Sequence, residues 1–434
     1  MRKPRSTLIT TAGMALAAAL GLFGSIAGPV AGEAEAAPTG IRVSDGRVVE
    51  ANGNEFVMRG VNHAYAWYPE QTTSIADIAA KGANTVRVVL GSGDRWTKTS
   101  ASEVSALIGQ CKAGKVICVL EVHDTTGYGE DGAATTLDKA ADYWIGVKSA
   151  LEGQEDYVVV NIGNEPFGNT DAAAWTGATK SAISKLRNAG IDQALMVDAP
   201  NWGQDWSGTM RDNAASVFAS DPDRNTVFSI HMYGVYDTAA EVRDYLHHFV
   251  DNKLPVVVGE FGNQHSDGNP DEDAIMATAQ SLGVGYIGWS WSGNGGGVEY
   301  LDLVNGFDAN SLTTWGNRLF NGANGIAATS ETATVYGGGE EPGGGGTGGT
   351  APNGYPYCVN GSSSDPDGDG WGWESSRSCV VRGSGADSGS GTGGGTAPNG
   401  YPYCVNGSSS DPDGDGWGWE SSRSCVVRGS GADS

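Results

Sequence analysis

Eight short apolar runs punctuate the chain, at 56–61, 84–90, 116–122, 157–163, 194–199, 227–231, 255–259 and 285–289. Their length and near-continuous hydrophobicity predict strands buried on both faces. Longer helix-like segments alternate with them: "TSIADIAAKG", "SEVSALIGQCKAG", "LDKAADYWIGVKSALEG", "AAAWTGATKSAISKLRNAG", "GTMRDNAASVFAS", "TAAEVRDYLHHFVDN", "PDEDAIMATAQSLG" and the shorter "LTTWGNRLF". Several end in glycine, which closes helices at little steric cost. Eight strand–helix units over about 300 residues predict an α/β fold, a (β/α)8 TIM barrel. A doubly wound open sheet is the alternative; the count of eight and the lack of a glycine-rich phosphate fingerprint oppose it. The segment "IRVSDGRVVEANG" before the first run reads as a hairpin capping the barrel floor.

Polar residues gather where these runs end. "YVVVNIGNEP" is apolar at Val158, Val159, Val160 and Ile162 and then delivers Asn164 and Glu165. The other runs lead to Asn62 and His63, Arg87, Glu121 and His123, Asp198 with Asn201 and Trp202, His231 with Tyr233, Glu260, and Trp289 with Trp291. The N-terminal ends of the runs show no such concentration. In a parallel barrel that asymmetry marks the C-terminal face, where chemistry collects. Glu165 and Glu260 come from opposite sides of the ring and can face each other across a substrate. Two carboxylates among tryptophans suit glycoside hydrolysis: one protonates the leaving oxygen, and the other attacks the anomeric carbon or activates water. A lone strand-end Glu is more often solvated or salt-bridged; two, with Arg, His and Tyr at neighbouring tips, are not coincidence. Glu121 reads as an ion-pair partner, Asp198 as a group orienting others, and Trp144, Trp175 and Trp315 as packing. No metal-ligand spacing and no Gly-x-Ser-x-Gly elbow is present, so neither a metal nor an acyl-transfer serine is expected.

The N-terminus changes the picture of where the protein works. Arg2, Lys3 and Arg5 precede an Ala/Leu/Gly-rich run from Leu8 to about Ala27, and Ala34-Glu35-Ala36 supplies small residues for cleavage. Residues 1–36 read as a secretory signal peptide, with a membrane anchor the alternative. No later stretch is apolar and long enough to span a membrane. The formal charge of −25 disfavours nucleic acid and anionic membrane as partners and suits a neutral substrate. The domain is expected over 37–336, followed by a Gly-rich linker at 337–350. The stretch "APNGYPYCVNGSSSDPDGDGWGWESSRSCVVRGSGADS" then occurs twice unchanged, at 351–388 and 397–434. It predicts small β modules at 351–383 and 397–429 with a linker at 384–396. Export makes disulfides plausible there, while sequence leaves the pairing of Cys111 and Cys118 open.

In chain order, "NTVRVVL", "EVHD", "NIGNEP", "HMYG", "VGEFG" and "GWSWSGN" resemble the signature set of glycoside hydrolase family 5. "ANGNEFVMRGVNHAYAWYP", "DAPNWGQDW" and "HSDGNPDEDAIM" are similar to its actinobacterial β-mannanase branch, over about residues 40–336. The resemblance implies a secreted, monomeric, cofactor-free retaining enzyme that cleaves internal β-1,4 linkages of mannan, glucomannan and galactomannan. It makes Glu165 the acid/base and Glu260 the nucleophile, with Arg87, His123, Asn164, His231, Tyr233 and Trp289 completing the site. Arg87 would keep Glu260 ionised and oriented, and Tyr233 would donate to it. Asn164 would bond the sugar 2-hydroxyl, His231 would tune Glu165, and Trp289 would floor the subsite where the sugar distorts. Trp67, Trp202 and Trp206 are expected beside flanking sugars. Mannose and glucose differ only at the 2-hydroxyl, so a glucan-cleaving cellulase is the rival enzyme, and a non-catalytic polysaccharide-binding protein the rival of another class.

Through "YPYC" and "DGWGWESSRSC" the repeats resemble a family 10 carbohydrate-binding module. Relatives commonly carry four cysteines where each copy here has two. One bridge per module is then implied, Cys358–Cys379 and Cys404–Cys425, unless the modules cross-link. Trp371 with Trp373, Trp417 with Trp419, Tyr355 and Tyr401 are the binding candidates for insoluble cellulose or a similar surface. Residues two apart on an extended strand share a face. "DPDGDGWGWE" places Asp365, Asp367, Asp369 and Gly370 like a calcium loop. Ser376 stands where a bidentate Glu is needed, so the Asp-Gly pairs read as turn formers.

Overall fold

Eight strands of four to seven residues pair in parallel around a closed ring. In chain order they are β3 (Arg59–His63), β4 (Thr85–Leu90), β5 (Ile117–Val122), β6 (Val158–Asn161), β7 (Ala194–Asp198), β8 (Thr226–Met232), β9 (Val256–Phe261) and β10 (Gly285–Gly288). The hairpin β1 (Arg42–Ser44) and β2 (Arg47–Val49) precedes them. Helices follow the barrel strands: α1 (Ser74–Ala80), α2 (Ala101–Ala113), α3 (Leu137–Gly146), α4 (Trp175–Asn188), α5 (Thr209–Phe218), α6 (Ala239–Asp251), α7 (Glu272–Leu282) and α8 (Thr314–Asn321), with a short α9 (Ile326–Thr329) last. This computed structural model describes residues 40–337 and, beyond them, 355, 357–358, 370–374, 377–381, 384, 403–404, 416–420, 423–427 and 430–431. The expected signal peptide, both linkers apart from Gly337 and Ser384, and Asp365, Asp367 and Asp369 lie outside the described residues. No helix among the described residues is long and apolar enough to cross a membrane.

Side chains alternate between the two sides of the barrel wall. On β5, Ile117 and Val119 enter the inner cluster, whereas Cys118, Leu120 and Val122 pack outward against the helices. Val159, Ala194, Met196, Val227, Val257 and Ile287 also point inward, and Ile41, Phe56 and Met58 join them as the floor. The hairpin and its flanks therefore close the barrel from below, as expected from sequence. One step further along the same inward rows come Asn62, Arg87, Glu121, Asn161 and Asp198, all fully buried. The period of two thus turns an apolar strand into a polar tip without changing face.

Most strand ends fall within two residues of the apolar runs, and two departures are larger. The first strand runs Arg59–His63 rather than 56–61. Phe56 and Met58 drop into the floor, and the Asn84 side chain stands in for a neighbouring strand: Arg59 N donates to Asn84 Oδ1 at 2.7 Å and Asn84 Nδ2 donates to Val57 O at 2.9 Å. The segment from Leu137 predicted as one helix breaks after Gly146 and resumes as a 3-10 turn at Lys148–Ala150. Gly146 and β-branched Val147 propagate a helix poorly.

Three helix-shell tryptophans are fully buried, as expected, and each spends its indole N–H on a carbonyl at the end of a strand. Trp144 donates to Ile162 O at 2.9 Å, Trp175 to Asp198 O at 2.7 Å and Trp315 to Trp289 O at 2.9 Å. The floor is tied to the chain's end by buried Glu50, which accepts from Thr334 N at 2.9 Å, Thr334 Oγ1 at 2.7 Å and Val335 N at 3.0 Å.

Contacts divide the chain into two units, Met1–Gly339 and Glu340–Ser434. In the second, β11 (Trp371–Glu374) pairs antiparallel with β12 (Arg377–Val380), and β13 (Trp417–Glu420) with β14 (Arg423–Val426). Cys358 bonds Cys379 and Cys404 bonds Cys425, so each bridge stays within one repeat. Trp371 is half-buried against Val380 and Tyr357, which moves it from a free strip toward the module's small core. Tyr355, 47% exposed, meets its ring edge-on at 4.9 Å, and Trp417 is 36% exposed. The side chains of Trp373 and Trp419, and Tyr401, lie outside the described residues.

Cys111 and Cys118 are both free and fully buried, on α2 and β5. Burial pushes the Cys118 thiol up, and neighbouring Cys111 adds to that, so neither reactivity nor access is favourable. The native protein should therefore resist iodoacetamide, and the unfolded, unreduced chain should gain two carbamidomethyl groups by mass. A mass showing none after unfolding would mean that these two cysteines are joined.

Candidate active site

Arg87, on the inward row of β4, reaches the centre of the upper barrel with no solvent exposure. All five of its N–H donors are used. Nε donates to Asn161 Oδ1 at 2.8 Å. Nη1 donates to Asn62 Oδ1 at 2.9 Å and to Glu260 Oε1 at 2.7 Å. Nη2 donates to Asn164 Oδ1 at 2.7 Å and to Asp198 Oδ2 at 3.0 Å. Glu121 Oε1 stands 3.9 Å from Nη1. Burial opposes the cation, and Asp198, Glu121 and Glu260 outweigh it and hold the guanidinium firmly charged.

Glu260 breaks the alternation of its strand. Val257 faces in and Val258 and Phe261 face out, so an unbroken strand would turn Glu260 outward. The ladder instead pairs Ile230 with Val258 and His231 with Glu260, which makes Gly259 an extra residue. This bulge rotates Glu260 into the barrel. A side chain at Gly259 would meet Ser229 Oγ at 2.1 Å, so glycine is required there. Glu260 Oε2 accepts from the Tyr233 hydroxyl at 3.0 Å, leaving both carboxylate oxygens held. Burial pushes the Glu260 carboxyl up; His231 and Arg87 pull it down, and the net direction is upward. His231 and Arg87 thus offset part of the burial without bringing the group below the ordinary range, and Arg87 also orients it.

Glu165 follows β6 in left-handed backbone, with φ of 40°, a conformation that costs a non-glycine residue about 1–3 kcal/mol. Its amide donates to Asp198 Oδ2 at 3.3 Å and its carbonyl accepts from Gly127 N at 2.9 Å, which pins the turn. Glu165 Oε1 lies 2.8 Å from His231 Nδ1. An oxygen of Glu165 and one of Glu260 lie within 4.8 Å of each other, with His231 Nδ1 in the same group. Burial alone would lower the His231 imidazolium, but Glu260, Asp198 and Glu165 outweigh it and raise it to about 10.

An aromatic wall flanks the carboxylates. His123 stacks on Trp289 at 5.8 Å and meets Trp67 edge-on at 4.9 Å. His123 Nδ1 donates to Glu121 Oε1 at 2.9 Å. Trp289 Nε1 donates to Asn294 Oδ1 at 2.9 Å, and Asn294 is held by Asp302. Trp96, which the strand-tip reading did not single out, lies edge-on to Trp67 at 5.5 Å. Trp202 packs over Gly127, where a Cβ would sit 2.2 Å from the indole, and donates to Glu130 Oε2 at 2.8 Å. Trp206 is 58% exposed and donates to Asn169 Oδ1 at 2.6 Å. The structure thus gathers Glu165, Glu260, Arg87, Asn164, His231 and Tyr233 in one bonded cluster. It sets His123, Trp289 and Trp67 as one wall and leaves Trp202 and Trp206 together on the loop after β7. Asn62 and Asn161 were missed as supports of Arg87; their signal was the inward row they share with it.

The sequence matches the cellulase family, glycosyl hydrolase family 5, over residues 49–295. The chain belongs to that family. The C-terminal repeats match a cellulose or protein binding domain, the family 10 carbohydrate-binding module, at 347–381 and 394–427. Among relatives, the mannan endo-1,4-beta-mannosidase of Streptomyces lividans is 82% identical over 381 residues, covering 88% of this chain and 98% of that one. That of Cellvibrio japonicus is 55% identical over 350 residues, covering 80% and 81%. The beta-mannanase of Streptomyces thermolilacinus, solved with mannohexaose, shares 60% identity and a TM-score of 0.68 over 69% of this chain and 99% of its own.

In this family 5 chain the raised His231 gives a signed pH dependence. A group whose folded pKa exceeds its ordinary 6.5 stabilises fully below that value and loses the contribution as pH rises toward about 10. The melting temperature should fall by several degrees between pH 7 and pH 10, and His231→Asn should flatten that fall. An unchanged slope in the variant would remove His231 as its source.

Proposed function

We propose that this family 5 enzyme is a secreted, endo-acting, retaining β-1,4-mannanase whose tandem modules hold it on insoluble polysaccharide. The observation that carries the mechanism is that one oxygen of Glu165 and one of Glu260 come within 4.8 Å, joined to their unequal surroundings. Retaining enzymes bring their carboxyls to about 5–5.5 Å, whereas inverting ones need about 6.5–9.5 Å to admit a water. The named activity of the Streptomyces and Cellvibrio relatives supports mannan as substrate. The basic, apolar N-terminus supports secretion.

Glu260 attacks the anomeric carbon while Glu165 gives its proton to the glycosidic oxygen, and the leaving chain departs as an alcohol. A mannosyl ester on Glu260 remains. Water then attacks that carbon as Glu165 takes the water's proton, and Glu260 leaves as a carboxylate. Arg87 and Tyr233 each bond one Glu260 oxygen, so the nucleophile is aimed before substrate arrives. Asn164, fixed between Arg87 and Thr126, can bond the 2-hydroxyl of the sugar. Trp289 offers an apolar face to the ring, and Trp67, Trp202 and Trp206 offer faces to flanking sugars.

Reducing sugar should appear from galactomannan far faster than from carboxymethylcellulose, and the first product from β-mannan should be β-configured by NMR. An α-configured first product would refute the nucleophile role. Glu165→Ala should lose about 10²–10⁴-fold on mannan. Glu260→Ala should be inactive yet form an α-mannosyl azide when azide is supplied.

Truncation after Gly337 should leave activity on soluble mannan near normal while adsorption to microcrystalline cellulose falls sharply. Trp371→Ala with Trp417→Ala in the full chain should do the same to adsorption. Equal loss of activity on short soluble mannooligosaccharides would argue against independent modules.

A further inference from the structure

The protonation of His231 is constrained from both ends of its ring. Nδ1 lies 2.8 Å from Glu165 Oε1 and 3.5 Å from Glu260 Oε2, and Nε2 lies 3.3 Å from Asp198 Oδ2. The Nε2 contact is long and short of full hydrogen-bond geometry, yet what faces that nitrogen is a carboxylate. His231 has no solvent exposure. A neutral imidazole has one N–H and one lone pair, so one end would set a buried lone pair against a carboxylate. Two arrangements avoid this. Either the ring is an imidazolium between two carboxylates, or Nε2–H points to Asp198 while Nδ1 accepts from a protonated Glu165. Both hold the same number of protons, and they differ only in where one proton sits along the 2.8 Å line from Nδ1 to Glu165.

What removes the other possibilities is the fixed charge of Asp198. Burial works against that charge, but Arg87 and His231 outweigh it and hold the carboxyl well below the ordinary range. Oδ2 accepts from Arg87 Nη2 at 3.0 Å and from the Glu165 amide at 3.3 Å, and Oδ1 accepts from Asn161 Nδ2 at 3.0 Å. The ring is also fenced: a side chain at Gly203 would lie 2.5 Å from Nδ1, and His231 N donates to Gly203 O at 2.8 Å. The charged groups around His231 are Asp198 of β7, Glu165 after β6 and Glu260 of β9. Arg87 of β4, Glu121 and His123 of β5 and its end, and Tyr233 beyond β8 stand next to those.

We infer that Asp198 is a positioning residue for proton transfer: it keeps Nε2 of His231 protonated, so that Nδ1 and Glu165 share one proton. This rests on Glu165 being the acid. The shared proton keeps an acid loaded beside the glycosidic oxygen; it leaves with the departing chain, and the proton taken from water in the second step restores it to the Glu165–His231 pair. Asp198 touches no substrate in this account and works through the ring.

The test pairs two substrates with Asp198→Asn, which keeps the shape and removes the charge. On mannan the variant should lose at least about tenfold in kcat, within the range of general acid catalysis. The alkaline limb of its pH profile should move to lower pH, because a cation or acid loses its proton more readily without the anion. On 2,4-dinitrophenyl β-mannobioside, whose leaving group needs no proton, the formation of the glycosyl enzyme should lose less than about tenfold. Equal loss on both substrates would overturn the inference and assign Asp198 to Arg87 and the nucleophile. Glu165→Ala on the same pair is the control: without a leaving-group split there, the acid role of Glu165 itself fails. Should Asp198→Asn not fold, ¹⁵N spectra of histidine-labelled wild-type chain decide the matter. His231 Nε2 should read as protonated from pH 6 to pH 9, and a bare Nε2 would overturn the inference.

Discussion

The upper barrel depends on one buried cation. Arg87 carries five donors in a rigid plane, and five side chains from four strands and one loop accept them. A guanidinium with no exposure is costly to bury unless every donor is met and the charge is balanced. Glu260, Asp198 and Glu121 more than balance it. The surplus of negative charge is what draws protons onto His123 and His231. Geometry and protonation of the site are therefore one problem with a common centre. Lysine could not replace Arg87, since a point charge on a flexible stem cannot bond Asn161, Asn62 and Asn164 in fixed directions.

Around that centre the scaffold works by separation of tasks. The apolar floor and the inner row supply burial, and the helix shell supplies tryptophans whose indoles hold strand-end carbonyls at Ile162, Asp198 and Trp289. Several backbone departures cluster at the rim. Glu165, Asn201, Trp202 and Asp205 all take positive φ within the loops after β6 and β7. Each such residue is a local cost borne where side chains must be aimed rather than packed.

Most of this was legible in the sequence because two signals agreed. Apolar runs gave the strands, and the residue types at their ends gave the face that carries chemistry. The eight closed strands, the hairpin floor, the packing role of Trp144, Trp175 and Trp315 and the gathering of Glu165, Glu260, Arg87, His231 and Tyr233 all follow from that. What was not legible lay where a pattern is interrupted. The first strand starts late because an asparagine side chain replaces a strand neighbour. Glu260 faces inward only through the bulge at Gly259, which no run of "VVVGEF" reveals. Trp96 and Asn294 sit in loops, where no period assigns a direction. Trp371 proved half-buried because a hairpin this small must recruit one of its own tryptophans to cover Val380.

The bridges of the repeats carry a consequence for oxidative folding. Each joins cysteines 21 positions apart, while the mismatched neighbours Cys379 and Cys404 are separated by only slightly more. Loop-closure entropy separates such spacings by about 0.2 kcal/mol, too little to choose a partner. Local pairing sets the register of each bridge. Residue 372 of β11 lies opposite Cys379, and Cys358 N donates to Val380 O at 2.8 Å, which brings the correct thiols together before they react. Because "YPYC" is the same in both copies, a swapped segment could pair in the same way, and what disfavours the swap is the 67-position loop that Cys358–Cys425 would then have to close, costlier by about 1 kcal/mol.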